Sequence, residues 1–163
     1  MWGAADLDAA SEGVWWAGID PAPTWLDLAR DYSEEWTHQQ HIRDATRRPR
    51  LTDAVFIDAA LETFARALPH VFRDAPVAGA SVVVVAVHGD GRDQSWALWR
   101  EPMGWTLIHA RPPAPTAAIA MPADMFWRLA TGGIEPGQVR RMAQVQGNPD
   151  LAEPGLHIVA VVR

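Results

Sequence analysis

Cysteine is absent from the 163-residue chain, which excludes a disulfide framework and any thiol nucleophile of its own. Positive charge is also scarce: 14 basic against 20 acidic side chains leave a net charge of −6. That balance lays down no basic footprint for nucleic acid. No apolar run reaches the ~20 residues that a membrane-spanning helix needs, and the N-terminus lacks the basic start and apolar centre of a signal peptide. Internal repeats and low-complexity tracts are missing too. These absences predict a soluble, cytoplasmic protein with neither nucleic acid nor membrane as a partner. What is present suffices for a packed core, since 48% of the residues are apolar. The length suits one ordinary domain, or a small domain with an appended element.

The stretch 25–43, WLDLARDYSEEWTHQQHIR, is strongly helical in pattern. At 100° per residue, Trp25, Leu28, Ala29, Tyr32 and Trp36 share one side and form an aromatic stripe fit for docking. Asp31, Glu34, His38 and His41 gather opposite, within roughly 80° of arc, because spacings of three and four return to one face. Glu34 and His38 stand one turn apart, as two ligands of a zinc-type site would, and His41 is a third ligand or a bystander. The same charged row is equally a solvated face. Thr24 and Asp27 form a capping pair at the start, and Pro49 ends the helix by Arg48. Arg47, Arg48 and Arg50 suit the negative helix end; binding an anion is the alternative role.

Ahead of this helix, residues 1–20 are poorly periodic, yet Trp2, Trp15 and Trp16 argue against plain disorder. After it, a second helix is expected over 53–67, capped by Thr52 or Asp53 and broken or kinked at Pro69, with His70 in a last turn. From Ser81 the period changes: SVVVVAV is a strand buried on both faces. The run from His88 to Gly91 is a turn signal, and partner strands follow at 94–101, 105–110 and 116–121. Short connections imply an antiparallel sheet. His88 and His109 read chiefly as turn and sheet-face side chains. Helices are expected at 122–130 and 135–142, an edge strand at 143–146, and a final helix capped by Asn148 with Pro149 at its first position. The fold class is therefore α+β, an antiparallel sheet of about five strands packed with helices and preceded by one long amphipathic helix. Trp96, Trp99, Trp105 and Trp127 either line a cavity in such a domain or simply fill its thin core.

Tyr32, Glu34, Trp36, His38, Gln40, Ile42, Arg43, Asp44 and Ala45 together resemble the last bundle helix of the mycothiol-dependent maleylpyruvate isomerase family. The runs 120–132 and 145–152 resemble the signatures of that family's small C-terminal domain, which is similar to sterol carrier protein. The resemblance implies three segments: an irregular 1–20, a bundle helix within 21–50, and a sterol-carrier-like domain over 51–163. It favours helix for the IVAVV tail. It also implies that Glu34 and His38 bind a divalent metal, zinc above all, with a histidine from an earlier helix. The chain as given starts too near this helix to contain that one, so the metal site is expected to lack a ligand. In the family, the metal lowers the pKa of the mycothiol thiol, which adds to an electrophilic substrate. Arg140 and Arg141 are the candidates for holding substrate carboxylates.

Two functions follow. One is a metal- and mycothiol-dependent enzyme acting on an electrophilic small molecule, incomplete alone or completed by a homodimer or a complementing chain. The other is a non-catalytic, sterol-carrier-like module that binds a small molecule or a protein.

Overall fold

Trp15 and Trp16 part company in the computed structural model, which describes residues 6–77, 79–89 and 92–161. Trp16 is buried, whereas Trp15 is 54% exposed; Trp2 lies outside the described residues. The segment is held by two short strands, Ala10–Ser11 (β1) and Ala22–Pro23 (β2), paired antiparallel around a Val14–Ile19 bridge. This tight loop delivers Val14, Trp16 and Ala17 to the core.

The long helix, Thr24–Ala45 (α1), starts where the proline and threonine predict, but the Thr24–Asp27 cap does not form. Thr24 Oγ1 donates instead to Ala9 O at 3.0 Å, and Asp27 accepts from Ser11 Oγ. Both side chains thus fasten the N-terminal segment to the helix. The expected apolar stripe is also turned. Leu28 and Tyr32 are 53% and 37% exposed, while Leu26, Ser33, Trp36, Thr37 and Gln40 face inward. Hydropathy misleads here because these buried hydroxyls need no distant partner. Ser33 and Thr37 donate to the carbonyls of Ala29 and Ser33, each at 2.7 Å. Gln40 donates to Leu51 O at 2.8 Å and accepts from Leu51 N at 3.2 Å. A small polar face that satisfies itself lets the next helix approach closely.

That next helix is Ala54–Ala65 (α2), with Asp53 at its N-cap position but making no side-chain capping bond. Pro69 does not end the helical path; it sits in the first turn of a short helix, Leu68–Val71 (α3), where a missing N–H costs nothing.

The sheet contains Val82–Gly89 (β3), Arg92–Glu101 (β4), Gly104–His109 (β5), Ala117–Pro122 (β6) and Gln144–Gly147 (β7), in the order β5-β4-β3-β6-β7. Asp90 and Gly91, half of the expected first turn, lie outside the described residues. Three ladders are antiparallel, as expected. The fourth, β3 with β6, is parallel. The reason is that the 110–116 connection crosses back over the sheet instead of turning at its edge, so β6 runs alongside β3. Val83, Val85 and Val87 face the helices, Val84 and Ala86 the other side, and all five are buried.

Ala123–Ala130 (α4), Pro136–Met142 (α5) and Pro149–Ala152 (α6) complete the helical layer. Asn148 caps α6 as expected, accepting from the amides of Asp150 and Leu151 at 3.0 and 3.3 Å. The tail is not the expected helix. A 3₁₀ turn at Glu153–His157 ends the helical path. Residues 158–161 then run irregularly, tied to α4 by Ala160 N donating to Ala130 O at 2.7 Å. Pro154 and Gly155 disfavour helix continuation.

Aromatic packing and an ionic cluster add to the Gln40–Leu51 pair in joining α1 to this domain. Trp36 meets Trp127 edge to face at 5.4 Å and Phe64 at 6.4 Å. Beyond it, Asp44 accepts from Arg50 at 3.0 Å and from Arg128, while Asp124 accepts from Arg50, Arg128 and Trp127 Nε1. The hydrogen bond from Arg128 is the main reason the Asp44 carboxyl sits below its ordinary range; burial opposes the shift, and Arg50 adds to it.

A group whose folded pKa is depressed stabilises the fold above its unfolded value and loses that contribution as pH falls through the folded one. Asp44→Asn is therefore expected to destabilise the protein by about 1–2 kcal/mol near neutral pH. Tm measured against pH should show the gap to wild type narrowing below about pH 4 and closing in stronger acid. A gap that stays constant would assign the effect to packing. A second outcome concerns Gly147, whose φ is +74° and whose added Cβ would lie 2.4 Å from Thr116 O. Gly147→Ala should lower the unfolding free energy in urea by about 3 kcal/mol, combining backbone strain and collision. Gly132→Ala, also at positive φ (+72°) but with open space around it, should cost only the strain, about 1 kcal/mol.

Candidate functional site

Of the expected metal residues, Glu34 is half-buried on α1, and His38 and His41 are exposed beside it. The two imidazoles are 6.5 Å apart, and His41 leans on the Trp127 ring at 5.9 Å. Arg128 lies 4.3 Å over that same ring, so a fixed cation already occupies the neighbourhood. Zinc sites need three or four protein ligands. Among the described residues, no three histidine or carboxylate side chains converge in that way. The residues present thus do not fit a self-contained metal centre. Arg140 and Arg141 lie on α5, away from this face in sequence and structure. Arg140 is paired with Glu153, whose carboxyl is held below the usual range chiefly by that contact.

The tryptophans split. Trp96 and Trp127 are buried between sheet and helices, with Trp96 stacked on Phe126 at 5.7 Å. They fill the core. Trp99 is 41% exposed on the opposite face of the sheet. Trp105 alone of the four borders an opening.

That opening is a cleft of about 610 Å³ between the 17–19 loop, the α2–α3 corner and the β4–β5 hairpin. Gly18 makes the loop wall. Its φ is +66°, and an added Cβ would stand 2.3 Å from His70 Nδ1, so only glycine lets the loop lie on the imidazole. The helical wall carries Arg66, Pro69, His70 and Arg73, spaced so that each returns to the same side. The hairpin supplies Arg100, Trp105, Thr106 and Leu107. Phe72 braces Trp105 from behind, edge to face at 5.7 Å.

The charges in the cleft are positioned, not loose. Glu62 is the hub: one carboxylate oxygen accepts from Trp96 Nε1 at 2.7 Å and lies 2.6 Å from His109 Nε2, and the other holds Arg66. His109 is thus a sheet-face side chain with a carboxylate partner. Arg73 donates to His70 O at 2.8 Å and meets Asp74 at 3.2 Å. Burial, then Arg73, pushes the His70 pKa down, keeping the ring neutral at neutral pH. Arg100 differs: its guanidinium donates to the carbonyls of Glu101 and Gly104, at 2.5 and 2.8 Å, and sits 6.0 Å from the Trp105 ring. Among the described residues it has no carboxylate partner.

None of these arginines stands out from the sequence alone. The available signal was the row Arg66, Pro69, His70, Arg73 at spacings of three and four, a cationic face across a helix break. Arg100 could not have joined it, because only the fold brings the hairpin there.

No protein-family model and no curated protein matches the chain, so the isomerase family suggested by Glu34 and His38 is not shown. Among solved structures the chain is similar to Sterol Carrier Protein 2 Like 2 from Aedes aegypti. The identity is 11% over 63% of this chain and 99% of that one, with a TM-score of 0.49. It is similar as well to sterol carrier protein domain 2 of Helicoverpa armigera, at 12% identity over 61% and 79% of the two chains and a TM-score of 0.41. A third likeness is to the UbiJ-SCP2 ubiquinone synthesis protein, at 17% identity over 63% and 89%, with a TM-score of 0.38.

Proposed function

We propose that this chain is a small-molecule-binding module, of the sterol-carrier-like kind that its C-terminal signature runs resemble. Its ligand lies in the cleft between the α2–α3 corner and the β4–β5 hairpin. The observation that carries this reading is the cleft itself. Its volume of about 610 Å³ is within the range of small-molecule sites, and apolar walls alternate there with a few positioned polar groups. No nucleophile with an adjacent base stands in it, so binding is favoured over covalent chemistry. Leu107 lines it half-buried, on the same side of β5 as Trp105, where a larger side chain would fill the space. Leu107→Trp is expected to unfold cooperatively as the wild type does and to abolish the thermal shifts that small amphiphiles give the wild type. If the filled variant keeps every shift, the cleft is not the site.

The second reading is the metal- and mycothiol-dependent enzyme, favoured by Glu34, His38 and His41 sharing one side of α1. It still requires a ligand from elsewhere, from a homodimer partner or a complementing chain. Metal content per oligomer separates the two readings. The binding-module reading expects sub-stoichiometric zinc that is unchanged in Glu34→Ala and His38→Ala. Stoichiometric metal lost in both variants would carry the enzyme instead.

A further inference from the structure

The composition of the cleft runs against that of the chain. Acidic side chains outnumber basic ones 20 to 14 overall, yet the cleft lining contains Arg66, Arg73, Arg100 and His70, and no aspartate or glutamate. A concave surface lined by one sign of charge focuses its field into the opening and raises the local concentration of counter-ions. The chain has no lysine, so every fixed cation here is a guanidinium. A guanidinium presents paired donors that match the two oxygens of a carboxylate or phosphate.

The three arginines are not equivalent. Arg66 and Arg73 are balanced by Glu62 and Asp74, and so contribute direction more than net charge. Among the described residues, Arg100 has only backbone carbonyls and the Trp105 ring as partners. Its charge therefore has no ion-pair partner there, and it stands on the helix side of the sheet, across from Trp105. Ile19, Pro69, Met103 and Leu107 supply the apolar surface around these groups. Met103, 98% exposed at the hairpin turn, is a large apolar side chain with little of the protein to cover it.

We propose that the ligand of this cleft is an organic oxyanion, a carboxylate or phosphate group on a compact apolar body. The head sits at Arg100 with Arg73 beside it, and the body lies against Ile19, Pro69 and Leu107. This inference rests on the small-molecule reading given above and adds the charge class to it.

The test compares a matched pair of probes by calorimetry at low ionic strength: 1-naphthyl phosphate, and uncharged 1-naphthol with the same ring system. Wild type is expected to bind the phosphate at least tenfold more tightly than the alcohol. That preference should shrink severalfold at high salt. Arg100→Gln should remove most of the preference and leave naphthol affinity unchanged. Because Arg100 also ties down the hairpin turn, Arg73→Gln is measured beside it, and is expected to reduce the preference without touching that turn. Arg111→Gln, which removes an exposed arginine paired with Asp93 outside this cleft, should leave both affinities alone. Equal affinity for the two probes would overturn the oxyanion assignment while leaving the binding cleft standing. Binding of neither would overturn the small-molecule reading itself. A preference that survives both Arg100→Gln and Arg73→Gln would place the anion elsewhere and sink the proposal. Binding of 1-naphthyl carboxylate as tightly as the phosphate would show that the oxyanion, and not phosphorus, is what the arginines read.

Discussion

Gln40 is the point from which the geometry of this chain can be traced. Its amide is 1% exposed, and it exchanges two hydrogen bonds with the backbone of Leu51, as a strand would. Leaving either partner buried and unpaired costs about 1–3 kcal/mol, so the clamp admits few alternative registers between α1 and the segment leading into α2. With that register fixed, Ser33 and Thr37 lie flat under α2, and Trp36 reaches both Phe64 and Trp127. The direction of α2 then decides where its far end points. That end carries Glu62 to Trp96 and His109 on the sheet, and Arg66 to the rim of the cleft. A polar pair near one end of the helical layer thus sets the address of a cation at the other.

The division between core and cleft follows from size. A domain with this sheet and one layer of helices has a thin interior. Trp96, Phe126 and Trp127 occupy it without residual exposure beyond 1%. Space for a ligand is left where elements end instead of where they face each other, at the hairpin turn, the α2–α3 break and the 17–19 loop. These ends are also where backbone carbonyls go unpaired by regular structure. Arg100 spends two donors on such carbonyls, which orients its charge without neutralising it.

Much of the architecture was legible because local chemistry and tertiary packing agree. The change of period at Ser81, the Asn148–Pro149 cap and the strands at their glycine and proline boundaries all stand where short-range rules put them. The inward face of α1 was not legible, because hydropathy scores Ser33, Thr37 and Gln40 as solvent-facing, while their hydrogen bonds are made locally or to one loop. The parallel β3–β6 pairing was equally hidden, since seven residues of proline-rich connection are compatible with a hairpin or a crossover. The tail departs from expectation for a different reason: Pro154 and Gly155, in the 3₁₀ turn before it, oppose the helical ending that the resemblance implies. Residues of the cleft come from three separated stretches, and no periodicity within one of them registers the others.

The two faces of α1 and the cleft illustrate a difference between alignment and convergence. Helical spacing brings Glu34, His38 and His41 to one side, which is what a sequence can show. A metal centre also needs those atoms to turn toward one point, and a third direction of approach that one helix cannot supply. Here His41 is drawn to Trp127 instead, onto a ring already holding Arg128. In the cleft the logic runs the other way. Nothing in any one segment aligns all three arginines and the histidine, yet the α2–α3 corner and the β4–β5 hairpin turn them to a common space and keep every carboxylate out of its lining. Convergence from independent elements is the harder arrangement to obtain by accident, because each element must be held by contacts of its own. Arg66 is held by Glu62, Arg73 by Asp74 and His70, and Arg100 by its turn. For that reason the cleft, and not the row of ligands on α1, is where the structure places its weight.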